Sequence, residues 1–337
     1  MCIISLLYFE EGGFHMTSGF NSTFADRLST FISQKNVLGY PYYESVRILS
    51  RFDKFCVKHY PDATELTKEI CLSWAVRKSS ESNNSFRNRI FPIREFAKYL
   101  NSIGENAYLI PVDLVKKGYP SPPHIYSADE LDAIWTVLES IPFKKNFPVR
   151  HLVLPTLFKL LYCCGLRPPE ARCLLRKNVD LKKGRIDIIE GKAHKSRIVM
   201  LADDTAEMLR AYDNAVNTVI PDRTIFFPSS TDTLYTKVWL DKSFRIILKK
   251  AGITGYGKRA PRPYDFRHTF ATHRIYQWMK EGKDVEAMLP YLSAYMGHAQ
   301  LSDTYYYIHL VPDAFKSMSG FDDSKLNVLI PEVNGDD

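Results

Sequence analysis

Apolar residues recur along the first hundred positions at the spacing of a helix face. From Ser85, the residues Phe86, Ile90, Ile93, Ala97 and Leu100 follow at intervals of 4, 3, 4 and 3, which sets them on one stripe of an α-helix. Arg87, Arg94 and Lys98 fall off that stripe. An earlier stripe of Ile48, Phe52, Phe55 and Cys56 is accompanied by Arg47, Arg51 and Lys54. Basic residues in such places either form a solvated helix face or offer cations to an anionic partner.

The pattern breaks at residues 116–123, Lys-Lys-Gly-Tyr-Pro-Ser-Pro-Pro, where the prolines stop helices and stiffen an extended chain. This is the expected linker between a helical domain at 20–115 and a second domain at 124–320. Beyond it, Ser127 and Glu130 have the spacing of a capping box ahead of Leu131, Ile134, Trp135 and Leu138. An apolar helix from about His151 to Cys164 is expected to stop at Gly165, and Pro168 and Pro169 suit the first turn of another. Arg185 to Glu190 and Ser196 to Leu201 read as two strands of a hairpin with the basic tip Gly191-Lys192-Ala193-His194-Lys195. Helical patterns follow at about 203–213, 236–250, 264–280 and 285–296. The fold class is therefore mainly α with a small antiparallel β-sheet (α+β).

Composition narrows the picture. With 45% hydrophobic and 25% charged residues in a chain of 337, a largely disordered or fibrous protein is excluded. The formal charge of +7 favours an anionic partner. Residues 124–320 carry +8 of it, whereas residues 321–337 carry −4, so a polyanion would meet the chain upstream of that tail. The six cysteines lack C-x-x-C or zinc-finger spacing and read as reduced thiols of a cytoplasmic protein. No apolar run approaches the roughly 20 residues of a membrane span. Residues 1–19 are expected to carry no fold, with Met16 an alternative start.

Three separated segments bear the chemistry. They are Gly165-Leu166-Arg167-Pro168-Pro169-Glu170, then Tyr264-Asp265-Phe266-Arg267-His268-Thr269-Phe270-Ala271-Thr272, then Met296-Gly297-His298 followed by Thr304, Tyr307 and His309. In order and spacing they resemble the tyrosine recombinase (phage integrase) family, whose pattern is a G-L-R-x-x-E turn, an H-x-L-R-H-T-F-A-T helix start and L-G-H-x8-Y. The resemblance covers roughly residues 124–320, and extends more loosely to an amino-terminal core-binding domain.

The resemblance implies a site-specific recombinase that cleaves and rejoins DNA through a 3′-phosphotyrosyl intermediate. A phosphodiester repels nucleophiles by its own charge, so cations must receive the charge that grows on its oxygens. Arg167 and Arg267 fit that role, since guanidinium suits phosphate and stays charged. His298 would add a hydrogen bond, and Tyr307 would attack phosphorus. Lys192 aligns with the family's hairpin lysine, which protonates the leaving 5′-oxygen, with Lys195 the alternate. Glu170 would orient its arginine or loop. This chemistry requires neither metal nor nucleotide, and His298 and His309 have no acidic or Cys partner at ligand spacing on their segment. No cofactor is expected.

One position departs from the family: the histidine three residues before Arg267 is Tyr264. A phenol titrates near pH 10 and is a poor base at neutrality, although its hydroxyl can still bond a phosphate oxygen. His268 is turned about 100° from Arg267 on a helix and is given no role. The proton acceptor for Tyr307 stays open between a water and the phosphate itself.

Besides the basic residues of the Ser85 helix, Lys258, Arg259 and Arg262 are candidates for DNA phosphates, or for a solvated basic loop. The expected partners are double-stranded DNA sites and three further copies of the chain, a tetramer on two sites that exchanges strands through a Holliday junction. Residues 321–337 are a candidate docking segment. The alternatives are a type IB topoisomerase that relaxes DNA, and a non-catalytic DNA-binding repressor derived from a recombinase.

Overall fold

The structure, a computed structural model, describes residues 19–38, 42–114, 122–189, 196–254, 256 and 259–311. They form two compact units, one up to residue 114 and one from residue 122.

The first unit is helical: α1 (Ala25–Val37), α2 (Tyr43–His59), α3 (Lys68–Trp74) and α4 (Asn83–Ser102). The stripe from Phe86 to Leu100 is buried on α4, which packs against α1 and α2. The helix starts two residues before Ser85 because the Ser82 hydroxyl caps it, accepting from the Ser85 N–H. Phe24, Phe31, Phe52 and Phe96 fill the core between the helices.

One buried charge ties the chain ahead of α1 to this core. Asp53, 2% exposed on α2, accepts hydrogen bonds from the Asn21 N–H (2.9 Å), the Ser22 N–H (2.9 Å) and the Ser22 hydroxyl (2.6 Å).

The second unit begins with α5 (Ala128–Glu139), where Ser127 and Glu130 form the anticipated capping box. At its centre lies α6 (Arg150–Cys164), apolar around most of its circumference and enclosed by α5, α8 (Asp203–Asn217) and α10 (Asp265–Lys280). A helix without a polar face is stable only when covered in this way. A short α7 (Pro168–Arg172) follows Arg167, with proline in its first turn as the sequence suggests. The sheet is antiparallel with strand order β1 (Val179–Asp180), β2 (Arg185–Ile188) and β3 (Arg197–Met200), and Ile186 lies opposite Val199. Ile186, Ile188 and Val199 point inward while Ile198 and Met200 are exposed, the alternation of a half-covered sheet.

Strand β1 was not anticipated, because two residues are too few to show a period. The two expected hairpin strands are each shorter than the apolar pattern. Helix α9 (Lys237–Lys250) packs on α5, and α11 (Val285–Met296) leads into the short α12 (Ser302–Tyr305). Among the described residues no helix is long and apolar enough to cross a membrane.

Asp53→Ala should lower stability by about 1–3 kcal/mol, since it strands the two buried donors of Ser22 and the part-buried Asn21 N–H. Urea unfolding followed by tryptophan fluorescence measures this, because Trp74 packs against Phe52 in the same core.

Candidate active site

Two glycines shape the site. Gly165 ends α6 with φ 58°, and Gly297 ends α11 with φ 68°, a left-handed conformation that costs side-chain-bearing residues strain. A Cβ at Gly165 would lie 2.4 Å from Cδ1 of Phe270, and one at Gly297 would lie 2.8 Å from Cδ of Arg197. The last carbonyls of a helix lack partners and carry partial negative charge. Here guanidiniums meet them. Arg267 donates from Nη1 to the Gly165 carbonyl (2.6 Å) and from Nη2 to the Met296 carbonyl (2.7 Å). Arg167 donates from Nη2 to the Gly297 carbonyl at 2.8 Å. Arg267 is only 1% exposed, and its Nε is buried without a partner among the described residues.

Glu170 fixes the second arginine. Its carboxylate accepts from Arg167 Nη1 (2.7 Å) and from the Arg167 N–H (2.9 Å). It also takes both ends of the Arg197 guanidinium, at 2.8 Å each. Burial pushes the Glu170 carboxyl up, but hydrogen bonding and charge from Arg197, with Arg167, outweigh it and hold the pKa at about 2. Arg197 further donates from Nε to the Tyr295 carbonyl of α11 at 2.9 Å. Sequence reasoning missed Arg197. On a four-residue strand beside exposed Ile198 and buried Val199 its periodicity carries no signal, and only the fold brings it to Glu170.

Tyr307 lies against the arginines. It is 3% exposed, whereas Tyr306 is 40% exposed and Tyr305 is packed into the cluster of α10 and α11. The His298 ring stacks on Tyr307 with centroids 5.8 Å apart and planes at 19°, and its Nδ1 is 2.7 Å from the Thr304 hydroxyl. Burial pushes the Tyr307 phenol up to about 12, with Arg267 pulling the other way. Burial, followed by the charges of Arg267 and Arg167, lowers His298 to about 4. Both groups are thus neutral at pH 7.

Tyr264 caps α10, and its ring lies 5.2 Å from that of His268. The turn of 100° does carry His268 away from Arg267, yet it carries it toward Tyr307, with ring centroids 5.6 Å apart. The sequence reading placed nothing on this side of His268; the chain that follows α11 returns along that side of α10.

Arg167, Glu170, Tyr264, Arg267, His298 and Tyr307 thus converge from the three motif segments. Lys192, Lys195 and Lys258 lie outside the described residues. Of the other candidates, Arg262 is engaged by Asp265 at 3.0 Å, and Arg259 and His309 are exposed. In the first unit Arg94 turns inward to the Ile110 carbonyl, and Lys98 pairs with Glu95 at 2.8 Å. Among the described residues Arg87 forms neither ion pair nor side-chain hydrogen bond, and is half-buried. No three His, Cys, Asp or Glu side chains converge as metal ligands among the described residues.

The sequence of residues 126–313 matches the model of the phage integrase family. The chain belongs to that family and is a site-specific tyrosine recombinase. It is 28% identical over 304 residues to a Sinorhizobium fredii protein named as an integrase/recombinase, y4rB, covering 88% of this chain and 95% of that one. It is 26% identical over 303 residues to the tyrosine recombinase XerD of Rickettsia bellii, covering 85% and 91%. In fold it is similar to the XerH site-specific recombinase bound to a palindromic difH substrate, with a TM-score of 0.61, 18% identity and 93% of each chain covered.

Glu170 yields a pH prediction. A carboxyl with an ordinary pKa of 4.5, held at about 2 when folded, contributes up to about 3 kcal/mol. That contribution is complete above pH 4.5 and disappears as pH falls towards 2. Glu170→Gln should therefore be less stable than the wild type at pH 7, with the gap closing between pH 4.5 and 2. Paired urea titrations across this range measure it.

Proposed function

We propose that this recombinase cleaves double-stranded DNA by attack of Tyr307 on a phosphodiester. The observation that carries this reading is the packing of a buried tyrosine against His298 and Arg267, with Arg167 fixed alongside. Attack forms a bond from Tyr307 Oη to phosphorus, and the bond from phosphorus to the 5′-oxygen breaks. A 3′-phosphotyrosyl link remains, and no bond energy is lost to water. Attack by a 5′-hydroxyl from another strand reverses the step and completes the exchange.

Each residue has a physical task. The two guanidiniums already spend donors on helix carbonyls, so they are oriented before DNA arrives, and their remaining N–H groups serve the non-bridging oxygens. Such preorganisation is what makes charge stabilisation effective. Neutral His298 donates one further hydrogen bond. Glu170 and Arg197 hold Arg167 in place. Tyr264 offers its hydroxyl to the phosphate where relatives carry imidazole. Lys192, on the hairpin that β2 and β3 support, protonates the leaving 5′-oxygen.

XerH and the integrase of transposon Tn1549 have been seen in complex with DNA. For this chain, DNA with two sites and four protomers joined at a Holliday junction is the corresponding assembly. The positive charge of the second unit supplies affinity that weakens with salt. Among the described residues, Arg87 and Arg259 are the sequence candidates with neither an ion pair nor a side-chain hydrogen bond, and Lys258 lies outside those residues.

A nicked duplex carrying the recombination site, selected from a random pool by binding, traps the covalent adduct. Tyr307→Phe should abolish the adduct while leaving DNA affinity within a few fold. An adduct that survives, or that peptide mapping places on Tyr305 or Tyr306, contradicts the reading. Lys192→Ala should be rescued by a 5′-bridging sulfur at the scissile position, because a thiolate leaves without a proton. Rescue of Lys195→Ala alone would move the general acid by three residues.

A further inference from the structure

The attack of Tyr307 leaves one proton unaccounted for. Its hydroxyl must lose that proton as the bond to phosphorus forms, and the position that relatives fill with imidazole is occupied by a phenol here. An imidazole is nevertheless present at one remove. His268 stands four residues after Tyr264, one turn further along the same face of α10. Its ring centroid is 5.2 Å from Tyr264, 5.6 Å from Tyr307 and 6.3 Å from Tyr306.

The placement of His268 between these rings comes with an unsatisfied nitrogen. Its Nδ1 is buried and has no hydrogen-bond partner among the described residues, a state that costs free energy and calls for an explanation wherever a native structure keeps it. Had His268 served only to fill space between two tyrosines, phenylalanine would do so without that cost. We propose that His268 accepts the proton of Tyr307 during DNA cleavage and returns it during rejoining. This rests on Tyr307 being the nucleophile.

The balance of the step is complete. The pair of electrons on Tyr307 Oη forms the bond to phosphorus, its proton passes to an imidazole nitrogen of His268, and the 5′-oxygen leaves with a proton from the general acid. In the reverse step the 5′-hydroxyl attacks, Oη leaves, and His268 hands its proton back. Nothing is oxidised or consumed.

The charged groups around the imidazole decide when it can act. Burial, then Arg262, Arg267 and His298, hold His268 down at about 4, so it is unprotonated and ready at pH 7. The rings of Tyr264, Tyr306 and Tyr307 face it. A phosphodiester seated between Arg167 and Arg267 brings a negative charge that offsets the arginines, and imidazolium becomes affordable only then. Transfer concerted with attack also means that free tyrosinate never accumulates. A proton acceptor that gains strength when substrate binds protects Tyr307 from ionising in its absence.

His268→Ala and His268→Phe test this on the nicked suicide duplex, with DNA affinity and melting temperature measured alongside. Both variants should cleave roughly a hundredfold more slowly, the usual scale of losing a positioned acid or base, and adducts that form should still map to Tyr307. Free imidazole should restore His268→Ala several fold, and substituted imidazoles should rescue in order of their basicity. The phenylalanine variant keeps the ring packing, so it reads the chemistry even where alanine impairs folding. Wild-type cleavage by a folded His268→Phe would overturn the proposal. So would cleavage by His268→Ala that is slow but indifferent to the basicity of added imidazoles. An adduct mapping away from Tyr307 would instead strike the nucleophile assignment, which Tyr307→Phe tests separately.

Discussion

Two helices that end in left-handed glycines, and the two arginines bonded to their last carbonyls, are the interaction on which this site depends. A guanidinium buried as deeply as that of Arg267 needs compensation for the hydration it loses. A carboxylate partner would provide it, but would also cancel the positive charge. Backbone carbonyls at a helix end do otherwise: they satisfy donors with only fractional negative charge, leaving most of the field available to an anionic ligand. Any side chain at Gly165 or Gly297 would alter this, since its Cβ would strike Phe270 or Arg197.

Arg167 is held differently, and the contrast is informative. It shares Glu170 with Arg197, so one carboxylate serves two guanidiniums and the cluster retains a net positive charge. Arg197 also reaches the Tyr295 carbonyl. The start of β3, the turn after α6 and the end of α11 are thereby joined through one buried ion network. The strand pair β2–β3 and the turn carrying His298 thus share a support, and disturbing Glu170 should be felt on both sides.

Much of this was legible in the chain. The stripe from Phe86 to Leu100, the capping box at Ser127 and the glycine stop at Gly165 are local signals, and local signals survive in one dimension. The motif segments announced Arg167, Arg267, His298 and Tyr307 because their residue types and intervals are constrained by the chemistry. What could not be read were properties of surfaces that meet only in the fold. Arg197 shows no pattern, Arg94 looks like a solvated cation until Ile110 returns beside it, and β1 is too short to show a period. The surroundings of His268 were hidden for the same reason. Helix geometry correctly turned it from Arg267, but only the path of the chain after α11 determines what stands on the other side.

That path also explains how a phenol at position 264 is compatible with a tyrosine nucleophile. Aromatic rings from Tyr264, His268, Tyr307 and His298 contact one another in sequence, and burial keeps water from Tyr307. Exclusion raises the phenol to about 12 and would make it inert if the surroundings were fixed. The same low-dielectric surroundings, however, magnify the effect of an arriving phosphate on every nearby titrating group. A site that stays neutral and unreactive until a phosphate binds needs a latent base, not a strong one. In the proposed mechanism, Tyr264 bonds the phosphate and His268 takes the proton, which separates two tasks that a single imidazole at position 264 would combine.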